Sequence, residues 1–331
     1  MSVDLADAIR INLLSPAVLF FALGILATLA RSDLRFPEPL YVGLTIYLLI
    51  AIGFKGGVSV AKAGLAAVWW PALAAMVLGA LVPLWTYPIL RIVGRISAVD
   101  AAAIAAHYGS VSAVTFIAAT NFLQSVGEPY EPYASAFLAV MEAPAIVVGV
   151  ILGKLALRRP EAGISDGLGA TLHEALLGRS VLLLVGALVI GFLSGARGLE
   201  ATSAFFVAPF QGILALFLLE MGMVAARRFA DLRRAGLFLL GFGVVMPVLH
   251  GVLGLMLGRF VGLGLGGATL LGVLAASASY IAAPAAVRMS LPEANPTLYL
   301  TSSLAITFPF NVTLGVPLYF AVGRWLFGGS S

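Results

Sequence analysis

Two short polar interruptions in long apolar runs are where this chain could do chemistry. LAASASYIAAP, residues 274–284, holds Ser277 and Ser279 and ends on a proline. HYGSVSAVTF, residues 107–116, holds Ser110 and Ser112 at the same spacing, just after Gly109. Serine is a favoured helix N-cap, and a helix beginning there presents free N–H groups and the positive end of its dipole. Two such N-termini facing each other would bind a small anion without a buried Lys or Arg. The candidate anion ligands are Gly109, Ser110, Val111 and Ser112 in the first stretch and Ala276, Ser277 and Ser279 in the second. Small residues also let apolar helices pack closely, so one stretch alone would read as packing. Two acids share the apolar setting, Glu142 in AVMEAPAI and Glu220 in LFLLEMGM. A carboxylate beside hydroxyl and amide oxygens suits a hard cation such as Na+, with Thr307 and Asn311 of TFPFNVTLG as neighbours. The alternative is a protonated, hydrogen-bonded structural Glu.

The elements that must hold these residues follow from composition. The chain has 331 residues, 61% hydrophobic and only 10% charged, with mean hydropathy +1.06. Soluble domains carry about 25% charged residues, so charge is too scarce here for a water-facing surface. Many apolar runs approach or exceed the roughly 20 residues needed to cross a bilayer. The alternating short segments of a membrane β-barrel are absent. The expected fold is an all-α polytopic membrane protein with ten spans, near 11–30, 39–61, 66–90, 99–124, 133–157, 177–197, 203–226, 235–260, 265–288 and 297–325. The N-terminal MSVDLADAIR has acids where a signal peptide has a basic region, so the first span is expected to be retained. Zero cysteines exclude disulfides and thiolate chemistry.

Lys and Arg divide unevenly between the two sides. Odd-numbered connections carry ten (Arg31, Arg35, Arg91, Arg95, Arg158, Arg159, Arg227, Arg228, Arg233, Arg234) and the other side five (Arg10, Lys62, Arg197, Arg259, Arg324). The positive-inside rule then puts both termini outside and the connection 158–176 in the cytoplasm, in a cell inner (plasma) membrane. The halves also echo each other. Ser110 and Ser277 are separated by 277 − 110 = 167, as are Ser112 and Ser279. Glu128/Glu293 and Pro144/Pro309 repeat at 165, and Gly53/Gly222 at 169. A near-constant shift implies an internal repeat. Five spans per copy is an odd number, so the copies are expected to be inverted, as in secondary transporters. The expected organisation is a first repeat over 1–157, a connection over 158–176 and a second repeat over 177–331. Spans four and nine would be broken at Gly109–Ser110 and Ala276–Ser277 and would cross at the midplane.

Other polar residues have plainer readings beside sharper ones. His107 and His250 fall inside spans, as neutral groups bonded to neighbouring helices or as proton relays. Lys55 in AIGFKGGVSVAK could snorkel to the interface or pair with an acid on a transport path. Trp69 and Trp70 read as interfacial anchors. There is no Walker A sequence and no Gly-x-Ser-x-Gly elbow. Ser110 with His107 at i, i+3 is a nucleophile–base spacing worth naming, and a broken helix with duplicated serines explains the same residues better. No enzyme is expected.

IGFKGGVSVAK, HYGSVSAVTF, LLEMGMVA, LAASASYIAAPAAVRMSLPEANPTLYL and ITFPFNVTLGVPLY, in this order along essentially the whole chain, resemble the SbtA-type sodium-dependent bicarbonate transporter family. The block from Ser277 to Pro296 is the most specific part. The resemblance implies Na+-coupled bicarbonate uptake, two inverted five-helix repeats, a gate and a core domain, and a homotrimer. No cofactor is implied, with Na+ as the coupling ion. The resemblance places the substrate at the two serine stretches and Glu142 in a Met-acid-x-Pro setting similar to that of cyanobacterial members. Glu220, Thr307 and Asn311 complete the candidate Na+ ligands. A PII-like cytoplasmic regulator closes cyanobacterial members, but the connection 158–176 is shorter here and offers such a partner less to hold. Two other functions stay open: Na+- or H+-coupled transport of another small anion, and a membrane sensor that binds an anion without moving it.

Overall fold

The computed structural model describes residues 5–157, 173 and 177–328. Every regular element among them is helical. Hydrocarbon leaves no water for stray N–H and C=O groups, and helices satisfy their own. Among the described residues, seven helices are long and apolar enough to cross a membrane, or eight if one bent pair counts as a span. The molecule is a polytopic membrane protein.

That bent pair is α1 (Leu5–Leu13) and α2 (Pro16–Leu29), which meet at 61°. Ser15 caps α2 by accepting from the Val18 N–H, and Pro16 occupies the first helical position, where no N–H is needed. Helix α3 (Glu38–Ala63) turns into α4 (Leu65–Ile92) through Gly64 alone, at φ 82°, a value that favours glycine. Next come α5 (Ala98–Gly109), α6 (Ala113–Ser125) and, after a single 3-10 turn, α7 (Ser135–Ala156). The second half runs α8 (Arg179–Phe206), α9 (Phe210–Arg228), α10 (Leu232–Phe260), α11 (Leu265–Ala276), α12 (Ala282–Ser290) and α13 (Pro296–Leu326). The connection expected over 158–176 lies outside the described residues except for His173.

One boundary departs clearly from expectation. The sixth segment was expected to stop at Arg197, yet α8 passes Arg197 and Glu200 and ends at Phe206. It does so by kinking at Gly195, whose φ of 59° a side chain would resist. Helix α13 holds two wide π-helical stretches, Thr301–Thr307 and Asn311–Gly315, on either side of Pro309. Proline offers no N–H to the ladder, and wider turns are one way a helix absorbs that loss.

Two packing groups result. Helices α2, α3, α8 and α9 form one, with α3 lying along α8 and α2 along α9. Close approach depends on glycine. A Cβ at Gly24 would meet the Leu219 carbonyl at 2.0 Å, and one at Gly222 the Phe21 carbonyl at 2.1 Å. The second group holds α4, α5 and α7 packed on each other, and α10 with α11 and α13. Helix α1 joins this group: the Asn12 amide donates to the carbonyls of Val312 and Thr313 on α13. The α5–α6 pair is the most enclosed segment, with 94% of its most apolar window buried, against 22% for α8. The interruption expected to do chemistry is therefore at the centre of the molecule, while α8 shows Leu193 and Ile190 outward.

Candidate functional site: the contact between two helix breaks

Helix α5 ends at Gly109 and α11 at Ala276. The next residues are both extended serines: Ser110 at φ −79°, ψ 166°, and Ser277 at φ −81°, ψ 164°. Two residues 167 apart thus end their helices in the same backbone conformation. Gly109 is forced by packing, because a Cβ would lie 2.6 Å from the Pro83 ring of α4. Ser97 starts α5 by capping Asp100, and Asp100 accepts from the Asn295 N–H, which ties the start of α5 to the start of α13.

The breaks touch through hydrogen bonds. The Ser279 N–H donates to the His107 carbonyl at 2.8 Å. The Ser112 N–H donates to Ser277 Oγ at 2.9 Å, and that hydroxyl donates on to the Leu274 carbonyl at 2.8 Å. His107 and Leu274 are themselves 274 − 107 = 167 apart. So each break hands one N–H to the equivalent carbonyl of the other, directly in one case and through the Ser277 hydroxyl in the other.

The helices that follow start differently. Ser112 is the N-cap of α6 and its Oγ accepts from the Thr115 N–H at 3.2 Å and the Thr115 hydroxyl at 2.9 Å. The second break is longer. Helix α12 begins only at Ala282, its N-cap is Ile281, and Ser279 Oγ accepts from the Ala283 N–H at 3.2 Å. Pro284 falls in the first turn of α12, where its missing N–H costs nothing.

A cavity of about 10 Å3, room for roughly one water, lies at this contact and is lined by Val111, Ser112, Glu142, Ser279 and Tyr280 with Leu49 of α3. Both breaks and a buried carboxylate therefore share one space on the side facing the α2–α3–α8–α9 group. The Tyr280 hydroxyl is buried there without a hydrogen bond of good geometry. Ser110 Oγ is also buried without a partner. His107 donates from Nδ1 to the Ala103 carbonyl at 2.7 Å, and its ring lies 4.6 Å from that of Tyr299. No Ser110–His107 hydrogen bond forms, so the pair has no nucleophile–base geometry. His250 accepts from the Trp85 indole N–H at 2.9 Å.

The four candidate cation ligands are not gathered in one place. Glu142 lines the cavity. Thr307 is engaged twice, accepting from Tyr108 at 2.7 Å and donating to the Gly243 carbonyl at 2.8 Å. Asn311 donates to the Ala276 carbonyl and accepts from Tyr319, both at 2.8 Å, so it holds the end of α11 against α13. Glu220 is buried on α9, outside the cavity lining, with Oε2 unpartnered. No group of three His, Asp or Glu side chains fit to hold a metal occurs among the described residues. A Na+ ion here would rest on one carboxylate with hydroxyl and carbonyl oxygens, ligands that suit a hard monovalent cation. Sequence reasoning missed Thr115, Tyr280 and Leu49. Thr115 was discoverable, three residues after Ser112 at the position a cap bonds. The other two arrive only through tertiary packing.

A comparison with individually curated proteins gave no match. A family model described as the Na+-dependent bicarbonate transporter superfamily matches residues 16–324, from the first residue of α2 into the last helix, both breaks included. That is a family of transporters, not enzymes. A match over nearly the whole chain is decisive, and the chain belongs to the Na+-dependent bicarbonate transporter superfamily.

Proposed function

We propose that the protein is a Na+-coupled bicarbonate symporter working by elevator-like alternating access, with its binding site at the contact of the two helix breaks. The observation that carries this is the exchange of N–H donors between breaks 167 residues apart, beside the Glu142 carboxylate. The start of α6, behind Ser112, and the start of α12, behind Ser279, supply positive dipole ends and donors for the anion. Glu142 would repel that anion if left ionised and alone. Na+ at the carboxylate removes the repulsion, so each ion makes the other bind better and neither loads well alone. Ser110, Ser112, Ser277 and Ser279, with the backbone of Gly109, Val111 and Ala276, are the proposed anion ligands. Glu142 is the first proposed Na+ ligand; Thr307, Asn311 and Glu220 stand behind it as residues whose partners would have to change.

In this reading the halves 1–157 and 177–331 are inverted repeats of five spans. The reciprocal pairing of α2 with α9 and α3 with α8 supports it, as does the match between the α4–α5 and α10–α11 packing. The α2–α3–α8–α9 group is the static gate and the rest the moving core, with a homotrimer formed through the gate. The Lys/Arg asymmetry supports an inner-membrane location with both termini outside. A PII-like protein would dock at the cytoplasmic face.

Uptake of labelled bicarbonate into proteoliposomes, with and without an inward Na+ gradient and against competing anions, tests the proposal. Na+-stimulated accumulation is expected. Accumulation driven by a proton gradient alone would assign the coupling to H+, for which the unpartnered His107 Nε2 is the candidate carrier. Binding without accumulation would make the protein a sensor.

A further inference from the structure

A much larger polar cavity lies away from the breaks. It measures about 380 Å3 and lies between α3, α6 and the start of α9, with Lys55, Ser135, Asn121 and Gln211 in its wall. It sits one helical turn along from the small cavity: Leu49 and Ala113 line the small one, Ile52 and Phe116 the large one. That spacing of three residues is a rise of about 4.5 Å. A second cavity of about 310 Å3 adjoins it, sharing Asn121, Gln124 and Gln211 and reaching Ser15 at the α1–α2 bend.

The contents of the large cavity are one-sided. The Lys55 ammonium lies 3.6 Å above the Phe210 ring, and no carboxylate is within ion-pair distance among the described residues. No Asp or Glu lines the cavity. An aromatic face attracts a cation without cancelling its charge or taking up its three donors. Ser135 Oγ, on a side chain 93% buried by its residue's 7% exposure, has no hydrogen-bond partner and lines the same space. Gln211 donates to Asn121 Oδ1 at 2.7 Å, and no hydrogen bond engages the Asn121 amide N–H groups among the described residues. A buried hydroxyl left unmatched, beside an uncompensated ammonium and amide donors, is a site short of an acceptor. Its volume falls in the range of ligand pockets.

We propose that this cavity is a second anion site, in which Lys55 and Ser135 hold the incoming anion before it passes one helical turn to the helix breaks. This rests on the transport reading for the direction of flow, but the site itself does not depend on it. Lys55 acts by charge: it raises the local anion concentration at the mouth of the pathway. Arginine in its place should preserve capture and methionine should abolish it.

The chain has three lysines, Lys55, Lys62 and Lys154, so side-chain resonances of 13C-lysine-labelled protein can be assigned by single Arg substitutions. Titration with sodium bicarbonate, against sodium chloride at equal ionic strength, should shift the Lys55 resonance saturably and leave that of Lys62 in place. In proteoliposomes Lys55→Met should raise the KM for bicarbonate by about tenfold, the scale of one charge-assisted hydrogen bond, with maximal rate unchanged, and Lys55→Arg should restore it. If the wild-type protein accumulates no bicarbonate while the Lys55 resonance still moves, the transport reading falls and this site stands. A Lys55 resonance indifferent to bicarbonate, or an unchanged KM in folded Lys55→Met, overturns the site. Should Lys55→Met fail to fold, the resonance decides.

Discussion

The two helix breaks begin alike and differ in construction. Both helices end in an extended serine with nearly equal dihedrals, Ser110 and Ser277. In the first break, residues 110–112, the chain resumes helix at once because Ser112 caps α6. In the second, residues 277–281, five residues pass before α12 starts, with no side-chain cap at Ile281. The serine hydroxyls diverge too. Ser277 Oγ is a strut, bonded at both ends, whereas Ser110 Oγ is buried and free of partners. The lesson is that residues 167 apart need not do the same work: one serine hydroxyl holds the contact together and the other is buried with no hydrogen bond.

Several substitutions break or sharpen that contrast. The largest effect is expected at Gly109, whose counterpart is Ala276 (109 + 167 = 276). Gly109→Val drives a side chain into the Pro83 ring, where a Cβ alone already stands at 2.6 Å. Overpacking of this kind costs about 1–3 kcal/mol, and uptake should vanish although protein is still made. Normal uptake by this variant would mean that the first break is not part of the pathway.

Glu142→Gln comes next. It keeps the shape of the small cavity and removes the charge that Na+ answers. Bicarbonate uptake should lose its Na+ stimulation and fall by about 10- to 100-fold, the value of a charged hydrogen bond. A variant that still responds to Na+ would move the cation site to Glu220.

The two serines should then separate by readout. Ser277→Ala strands the buried Ser112 N–H, while the Leu274 carbonyl keeps the Ser277 backbone N–H; the loss is about 1–3 kcal/mol in stability, seen as a lower melting temperature in detergent along with weaker anion binding. Ser110→Ala removes a hydroxyl that bonds to nothing in the protein. Its melting temperature should hold while anion affinity drops by a smaller factor, about fivefold. If both variants melt alike, the strut assigned to Ser277 is wrong.

How far the sequence alone reaches can be judged on these same residues. The helix ends at Gly109 and Ala276 were legible because glycine and paired serines make poor helix interior in an otherwise apolar run. So was the clustering of serines from two distant stretches, since the shift of 167 ties them together. The length of the second break was not legible, because it depends on the Ser279 N–H finding the His107 carbonyl. The fate of Asn311 and Thr307 was hidden for the same reason: each is held by backbone carbonyls, of Ala276 and Gly243, that only the folded chain brings near. Helix α8 runs past its expected end at 197 because Gly195 lets the chain bend and stay helical. For Lys55 the sequence leaves snorkelling and pairing with an acid both open; its place above Phe210 in a cavity lined by no acid is a tertiary fact.

The central claim is that Na+ and bicarbonate share the space where the two breaks meet. Bicarbonate affinity of the purified protein, measured across a series of Na+ concentrations, tests it most directly. The account predicts that Na+ strengthens bicarbonate binding and that bicarbonate strengthens Na+ binding by the same factor, with both effects gone in Glu142→Gln. Bicarbonate affinity that stays constant from zero to saturating Na+ would contradict it.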